Sequence, residues 1–368
     1  MRFRTFATFM IIVILSIGCT GITPPKLDVL DLETHSTQGI PLKVKYVSIP
    51  GQTVPSSTSF SHGSVWSVSG QFSKTKTIRV DIATLDVSMI DRPFDTFDLM
   101  IGERSLWLSE PVSPLVGGGS LQRYDINTNQ LLATVQDAGT PFALSADLIW
   151  AYHSGLGTIS GINLQTNQII WKVDAPKKTS SRHFAYADGS IWQFVHLEKL
   201  SSWKIAQQTA APAVVRRVDP QSNQIIAEIP VGLSQSTAGI YFVAGDIWVL
   251  GDRHVQGGGF ATRIDVKNNR VLATIDLSAP PYPPVAARAL PQTPVYWNGG
   301  VWISTFYTER GRMPGLLKQI DLDINEVVDQ FGISEEQLPK TGQPMLVVGD
   351  NALWAIGKEA VLKIEAFQ

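Results

Sequence analysis

Seven times along the chain a residue at the end of a turn and then an apolar residue lead into a tryptophan: Ser64-Val65-Trp66, Ser105-Leu106-Trp107, Leu148-Ile149-Trp150, Ser190-Ile191-Trp192, Asp246-Ile247-Trp248, Gly300-Val301-Trp302 and Ala352-Leu353-Trp354. Successive tryptophans stand 41, 43, 42, 56, 54 and 52 residues apart. A repeat at or slightly above roughly 40 to 50 residues is the period of a four-stranded β-propeller blade. Such a unit cannot bury its apolar faces alone, so the spacing predicts stacked sheets rather than the two or more domains that the length would otherwise suggest.

The unit is clearest over residues 239–277. Ile240-Tyr241-Phe242-Val243 reads as a first strand, Ala244-Gly245-Asp246 as a tight turn and Ile247-Trp248-Val249-Leu250 as a second strand. Strands over 260–265 and 270–275 follow, joined by the polar turn Val266-Lys267-Asn268-Asn269. Runs apolar on both faces fit sheets covered on each side by a neighbour. The fourth strand recurs as Leu131 to Val135, Ile169 to Val173, Ile225 to Ile229 and Val271 to Ile275, each behind a turn with Asp or Asn at its start: Asp125, Asn163, Asp219, Asp265. Short carboxylate and amide side chains accept hydrogen bonds from backbone amides two residues on, so these acids are expected to be structural. The tryptophans are expected to be inter-sheet fillers whose indole N–H finds a backbone carbonyl. Gly117-Gly118-Gly119 and Gly161-Ile162-Asn163 lack a strand-to-helix setting for phosphate and are read as turns.

The last repeat supplies only three strands before the chain stops at Gln368, while Leu42 to Ile49 reads as an orphan fourth strand. Pairing this segment with Val361 to Glu365 closes the ring and removes edge strands. The expected fold is therefore all-β: a seven-bladed β-propeller of four-stranded antiparallel blades over 41–368, its last blade completed by residues of about 42–49.

Arg2 and Arg4, the apolar run from Phe6 to Ile17 and then Gly18-Cys19 have the form of a secretory signal over 1–18, too short for a comfortable membrane span of about 20 residues. Leu15-Ser16-Ile17-Gly18-Cys19 resembles a bacterial lipoprotein lipobox, with Ser16 where that family usually has leucine. The resemblance implies lipidation of Cys19, the one cysteine of the chain, and residues 19–40 then read as a tether. The expected setting is the bacterial cell envelope, on the extracytoplasmic side of a membrane. A formal charge of −2 offers no general attraction for nucleic acid, and a monomer is expected.

The blade units Gly-x-Ile-Trp-Val, Arg-Ile-Asp and Asn-Arg-Val-Leu-Ala-Thr-Ile resemble the YVTN-type and YncE-like propellers of bacteria and archaea, and more distantly the streptogramin B lyase group. The repeated residues build strands and turns, so the resemblance speaks to fold more than to activity.

Long connections fall between second and third strands and between blades, as at 194–213, 251–259, 278–294, 304–315 and 332–342, and in a propeller these open on one face. That face is expected to carry His153, His196, Asp252, Arg253, His254, Glu309, Arg310 and Arg312, with Arg182 and His183 toward the channel mouth. Cationic and imidazole groups converging there would bind an anionic or hydroxyl-rich ligand. No metal-ligand spacing and no nucleophile motif is present, and the Asp321-Leu322-Asp323 alternation lacks the glycine and glutamate of a calcium loop, so no metal or cofactor is expected. The favoured function is an anchored binding scaffold for a small molecule, wall component or protein. The alternative is a metal-assisted lyase, as the streptogramin B lyase resemblance implies, or a lactone hydrolase at the channel mouth.

Overall fold

The computed structural model describes residues 29–35, 41–49, 55–69, 75–92, 98–102, 104–113, 116–177, 180–197, 211–234, 236–252, 259–277, 289–291, 293–307, 315–333, 344–357 and 360–366. They form seven antiparallel sheets. In each sheet the strands run A to D from the innermost outward, as in blade 5: Ser236–Val243, Asp246–Asp252, Gly259–Asp265 and Arg270–Asp276. In blade 6 strand A is interrupted, Ala289–Pro291 and Val295–Trp297 both pairing with strand B, Gly300–Tyr307. Blade 7 consists of Met345–Gly349, Ala352–Ile356, Ala360–Ala366 and, as strand D, Pro41–Ser48. The closing register runs from Leu42↔Ala366 to Ser48↔Ala360, as the orphan-strand reading requires.

The tether reading of 19–40 needs amendment, because Val29–His35 forms a further strand outside Pro41–Ser48, from Val29↔Val47 to His35↔Pro41. Its alternation is too short to stand out in a single sequence, and the open edge of blade 7 supplies the missing partner. Both glycine segments lie within strands rather than turns. Gly117 to Gly119 belong to Val116–Asp125, strand C of blade 2. Gly161 belongs to Thr158–Asn163, where an added Cβ would lie 2.9 Å from the Trp150 ring and 3.0 Å from Trp171 Cβ. Here glycine makes room for two indoles.

All seven repeat tryptophans are buried, at 3% exposure or less. In blades 4 to 7 the indole N–H donates to the carbonyl five residues back, as from Trp192 to Ala187 (3.2 Å) and from Trp354 to Gly349 (3.1 Å). Those of Trp66, Trp107 and Trp150 are buried with no hydrogen-bond partner among the described residues. A cation on strand C lies over most of these rings: Arg79 on Trp66, Arg123 on Trp107, Arg217 on Trp192, Arg263 on Trp248 and Lys363 on Trp354, at 5.2–5.9 Å. The arginine then reaches the next blade. Arg263 Nη1 donates to Leu322 O (2.6 Å) and Asn325 Oδ1 (2.8 Å), and Arg217 Nη1 to Val266 O (2.8 Å) and Asn269 Oδ1 (3.1 Å).

The C–D turns behave as their residues demand. Asp125 Oδ1 accepts from the amides of Asn127 and Thr128, and Asp321 Oδ1 from those of Asp323 and Ile324. Asn129, Asn167, Asn223, Asn269 and Asn325 then take φ of 52–58°, a region asparagine tolerates. Strand D is less completely covered than the strands inside it. Leu131–Val135 and Arg270–Asp276 expose alternate or successive residues, because the outermost strand lacks a neighbour on one side.

Candidate functional site

Consecutive antiparallel strands put the A–B and C–D turns at one end of the ring and the B–C and D–A connections at the other. Strand A lines the axis, so its first residues stand at the loop end. There a cavity of about 190 Å³ draws on all seven blades, from Thr58 of blade 1 to Met345 of blade 7. Its polar lining includes Asp98, Ser181, Arg182, Tyr241 and Thr293, set among Leu99, Met100, Phe142, Phe184 and Ile240.

Local structure explains these positions. Asp98 immediately precedes strand A of blade 2. Ser181–His183 form one turn of 3-10 helix before strand A of blade 4, held by Ser180 Oγ accepting from Arg182 N (3.2 Å). Thr293 sits in the interruption of strand A in blade 6. Tyr241 lies back over Gly239, where an added Cβ would come within 2.5 Å of the phenol oxygen.

Burial pushes the Asp98 carboxyl up to about 6, with the Arg182 guanidinium pulling the other way. Part of the Asp98 surface still reaches solvent, but its carboxyl lies deep in the mouth, where desolvation outweighs the attraction. Burial also raises the Tyr241 phenol; Arg182 and a hydrogen bond with Thr293 oppose this, and Asp98 adds to it. Asp98, Arg182 and Tyr241 thus share one electrostatic environment although they come from blades 2, 4 and 5.

The sequence candidates divide. Arg182 lines the cavity. The rings of His183 and Phe194 meet edge to face with centroids 5.7 Å apart, as do those of Phe194 and His196 at 5.0 Å, which makes a row of edge contacts on blade 4. Burial lowers the His196 pKa, and its Nδ1 has no hydrogen-bond partner among the described residues. His153 ends strand B of blade 3, at the loop end, where it is buried and its Nδ1 accepts from Leu156 N (3.1 Å) in the B–C turn that follows. Asp252 ends strand B of blade 5, and its side chain lies outside the described residues. Arg253, His254, Glu309, Arg310, Arg312 and Cys19 also lie outside them. Among the described residues no three His, Cys, Asp or Glu converge as metal ligands. Sequence reasoning missed Asp98, Tyr241 and Thr293. The available signal was a polar residue in or just before the innermost strand of a blade.

No family model matches the chain, and no curated protein matches it in sequence. Solved structures do. Kuenenia stuttgartiensis hydrazine synthase aligns with a TM-score of 0.63 at 11% identity, covering 86% of this chain and 97% of that one. The WD40 domain of Toxoplasma gondii coronin gives 0.53 at 8%, covering 93% and 89%. Kluyveromyces lactis Hsv2 gives 0.51 at 9%, covering 83% and 90%. The chain is a seven-bladed β-propeller. At these identities the likeness concerns fold alone.

Proposed function

We propose that the protein is a YVTN/YncE-like cell-envelope lipoprotein, anchored through Cys19 on the extracytoplasmic side of a membrane, that acts as a binding scaffold. Its ligand site is the loop-end mouth of the central channel, and the ligand is a small anionic or hydroxyl-rich molecule. The observation that supports the ligand-site part of this reading is the cavity shared by all seven blades, with Arg182, Tyr241 and Thr293 placed among apolar walls. A concave, mostly apolar site with a few convergent polar groups is the usual form of a small-molecule pocket. Chain direction supports an orientation. Strand Val29–His35 enters at the loop end, opposite Val47, so a tether over 19–28 spans at most about 35 Å and brings the loop end toward the membrane.

Two measurements test the reading. Fatty-acid labelling and membrane fractionation of the parent and Cys19→Ala should show label and membrane association lost in the variant; unlabelled parent protein removes the anchor. Titration calorimetry against a panel of small carboxylates and sugars should find a binder whose affinity falls at least tenfold in Arg182→Ala. A panel binder indifferent to that substitution removes the channel site.

A further inference from the structure

Exposed large hydrophobic side chains are not spread evenly over the ring. Apart from Leu156 and Leu197, every such side chain among the described residues lies within three residues of an A–B or C–D turn, at the end opposite the channel cavity. Leu132, Ile170, Ile226 and Leu272 occupy nearly equivalent places early in strand D of blades 2 to 5, exposed by 52%, 49%, 54% and 38%, and Ile324 on the C–D turn of blade 6 extends the row at 57%. Scattered surface leucines mean little, whereas one recurring position in successive blades makes an organised surface. Among the described residues the row does not continue onto blade 7, whose strand D is paired on its outer edge with Val29–His35.

The same end is acidic. Its C–D turns carry Asp81, Asp125, Asp219, Asp265 and Asp321, and exposed acids such as Asp86, Asp147, Asp323 and Glu326 add to them. Against these acids the exposed cations are Arg104, Lys267 and Arg270 on the described turns and at their margins, with Lys43 and Lys172 on strand D of blades 7 and 3. The row of arginines on strand C is already committed to hydrogen bonds within and between blades. A second copy presenting this end would bring like charges together, and an anionic lipid surface would meet the same repulsion.

We infer that the turn end of the propeller is a docking surface for a protein partner that presents basic side chains among aliphatic ones. The aliphatic row supplies the contact area, and the turn carboxylates supply orientation and encounter rate. The inference does not depend on the lipid anchor or on the channel ligand.

The test uses the full chain in mild detergent and a synthetic amphipathic helix of leucine and lysine, with a leucine and glutamate helix as control, read by fluorescence anisotropy. The lysine helix is expected to bind and the glutamate helix to fail. Leu132→Ser/Ile226→Ser/Ile324→Ser together should weaken binding at least about tenfold, and Arg182→Ala should leave it unchanged. The substituted side chains are exposed, and thermal melts of the triple variant establish that it stays folded. Equal binding by parent and triple variant would overturn the inference, as would equal binding of the two helices. Self-association in sedimentation equilibrium, or flotation with phosphatidylglycerol vesicles, overturns it in favour of a second copy or a lipid surface if the triple substitution abolishes either one.

Discussion

At the turn end Asp125, Asn163, Asp219, Asp265 and Asp321 each hold the same pair of backbone amides or a close variant, whereas at the loop end Asp98, Arg182, Tyr241 and Thr293 reach one cavity from four dissimilar segments. One end is repetition, and its side chains serve the fold blade by blade. The other is convergence, and its side chains meet only because the ring is closed. Substitutions at repeated positions should therefore cost stability, while those at convergent positions should change pH response and ligand affinity more than stability.

The sharpest attempt to break this contrast is Trp248→Ala, which empties a fully buried site between blades 5 and 6. A loss of about 3–5 kcal/mol in urea unfolding is expected. A loss below about 1 kcal/mol would show that the repeat tryptophans are dispensable fillers.

Lys318 is an exception within the repeated half and sharpens the comparison from inside. It is 2% exposed on strand C of blade 6, donates from Nζ to Leu277 O (2.7 Å), and burial depresses its pKa to about 8 despite Asp276. A folded-state pKa below the unfolded one means that the ammonium opposes folding below pH 8, and that the penalty fades as pH rises to about 10.5. Parent stability should gain up to roughly 3 kcal/mol across that window from this group. Lys318→Met should lack the gain, and parallel pH profiles for the two proteins would refute it.

Next in size is Arg263→Ala. It removes the contact with Trp248, the ion pair with Asp246 at 2.7 Å and both hydrogen bonds into blade 6, for about 2 kcal/mol by chemical denaturation. Blade 3 is the natural control, since Gly161 stands where the arginine would be and Trp171 fills the space. Asp174 there takes over the link to the next blade, its carboxylate accepting from Asn223 Nδ2 at 2.9 Å.

Asp98→Asn probes the convergent end. Because the folded carboxyl titrates near 6, above its unfolded value of 3.8, its ionisation opposes folding, and parent stability falls as pH rises through that interval. The variant should gain in thermal midpoint at pH 7.5 relative to pH 4.5. An equal change at both pH values would show that desolvation at the channel mouth does not govern this group.

This contrast also explains what a single sequence disclosed. Periodic tryptophans, Asp/Asn turns and the missing strand of the last repeat carry ring number and closure, because each follows from local chemistry repeated along the chain. The extra strand Val29–His35 did not show itself, since its partner is an edge created only by closure. Arg182 was legible as a charge ahead of a first strand. Asp98 and Tyr241 were not, because 143 residues separate two groups that share a field only across the axis. His153 was legible as a loop-end residue, but its hydrogen bond from Leu156 N was not, because an imidazole holding a turn has no sequence signature of its own.

The smallest expected effect separates conformation from contact within one turn. Asn325 sits at φ 57° and accepts from Arg263 Nη1, so Asn325→Gly keeps the backbone comfortable while deleting the acceptor, and Asn325→Ala removes both advantages. The glycine variant should lose about 0.5–1 kcal/mol, less than Arg263→Ala, because Leu322 O still receives the guanidinium. The alanine variant should lose roughly 1 kcal/mol more. If glycine and alanine cost the same, the left-handed backbone contributes nothing, and the inter-blade hydrogen bond alone accounts for asparagine at this position.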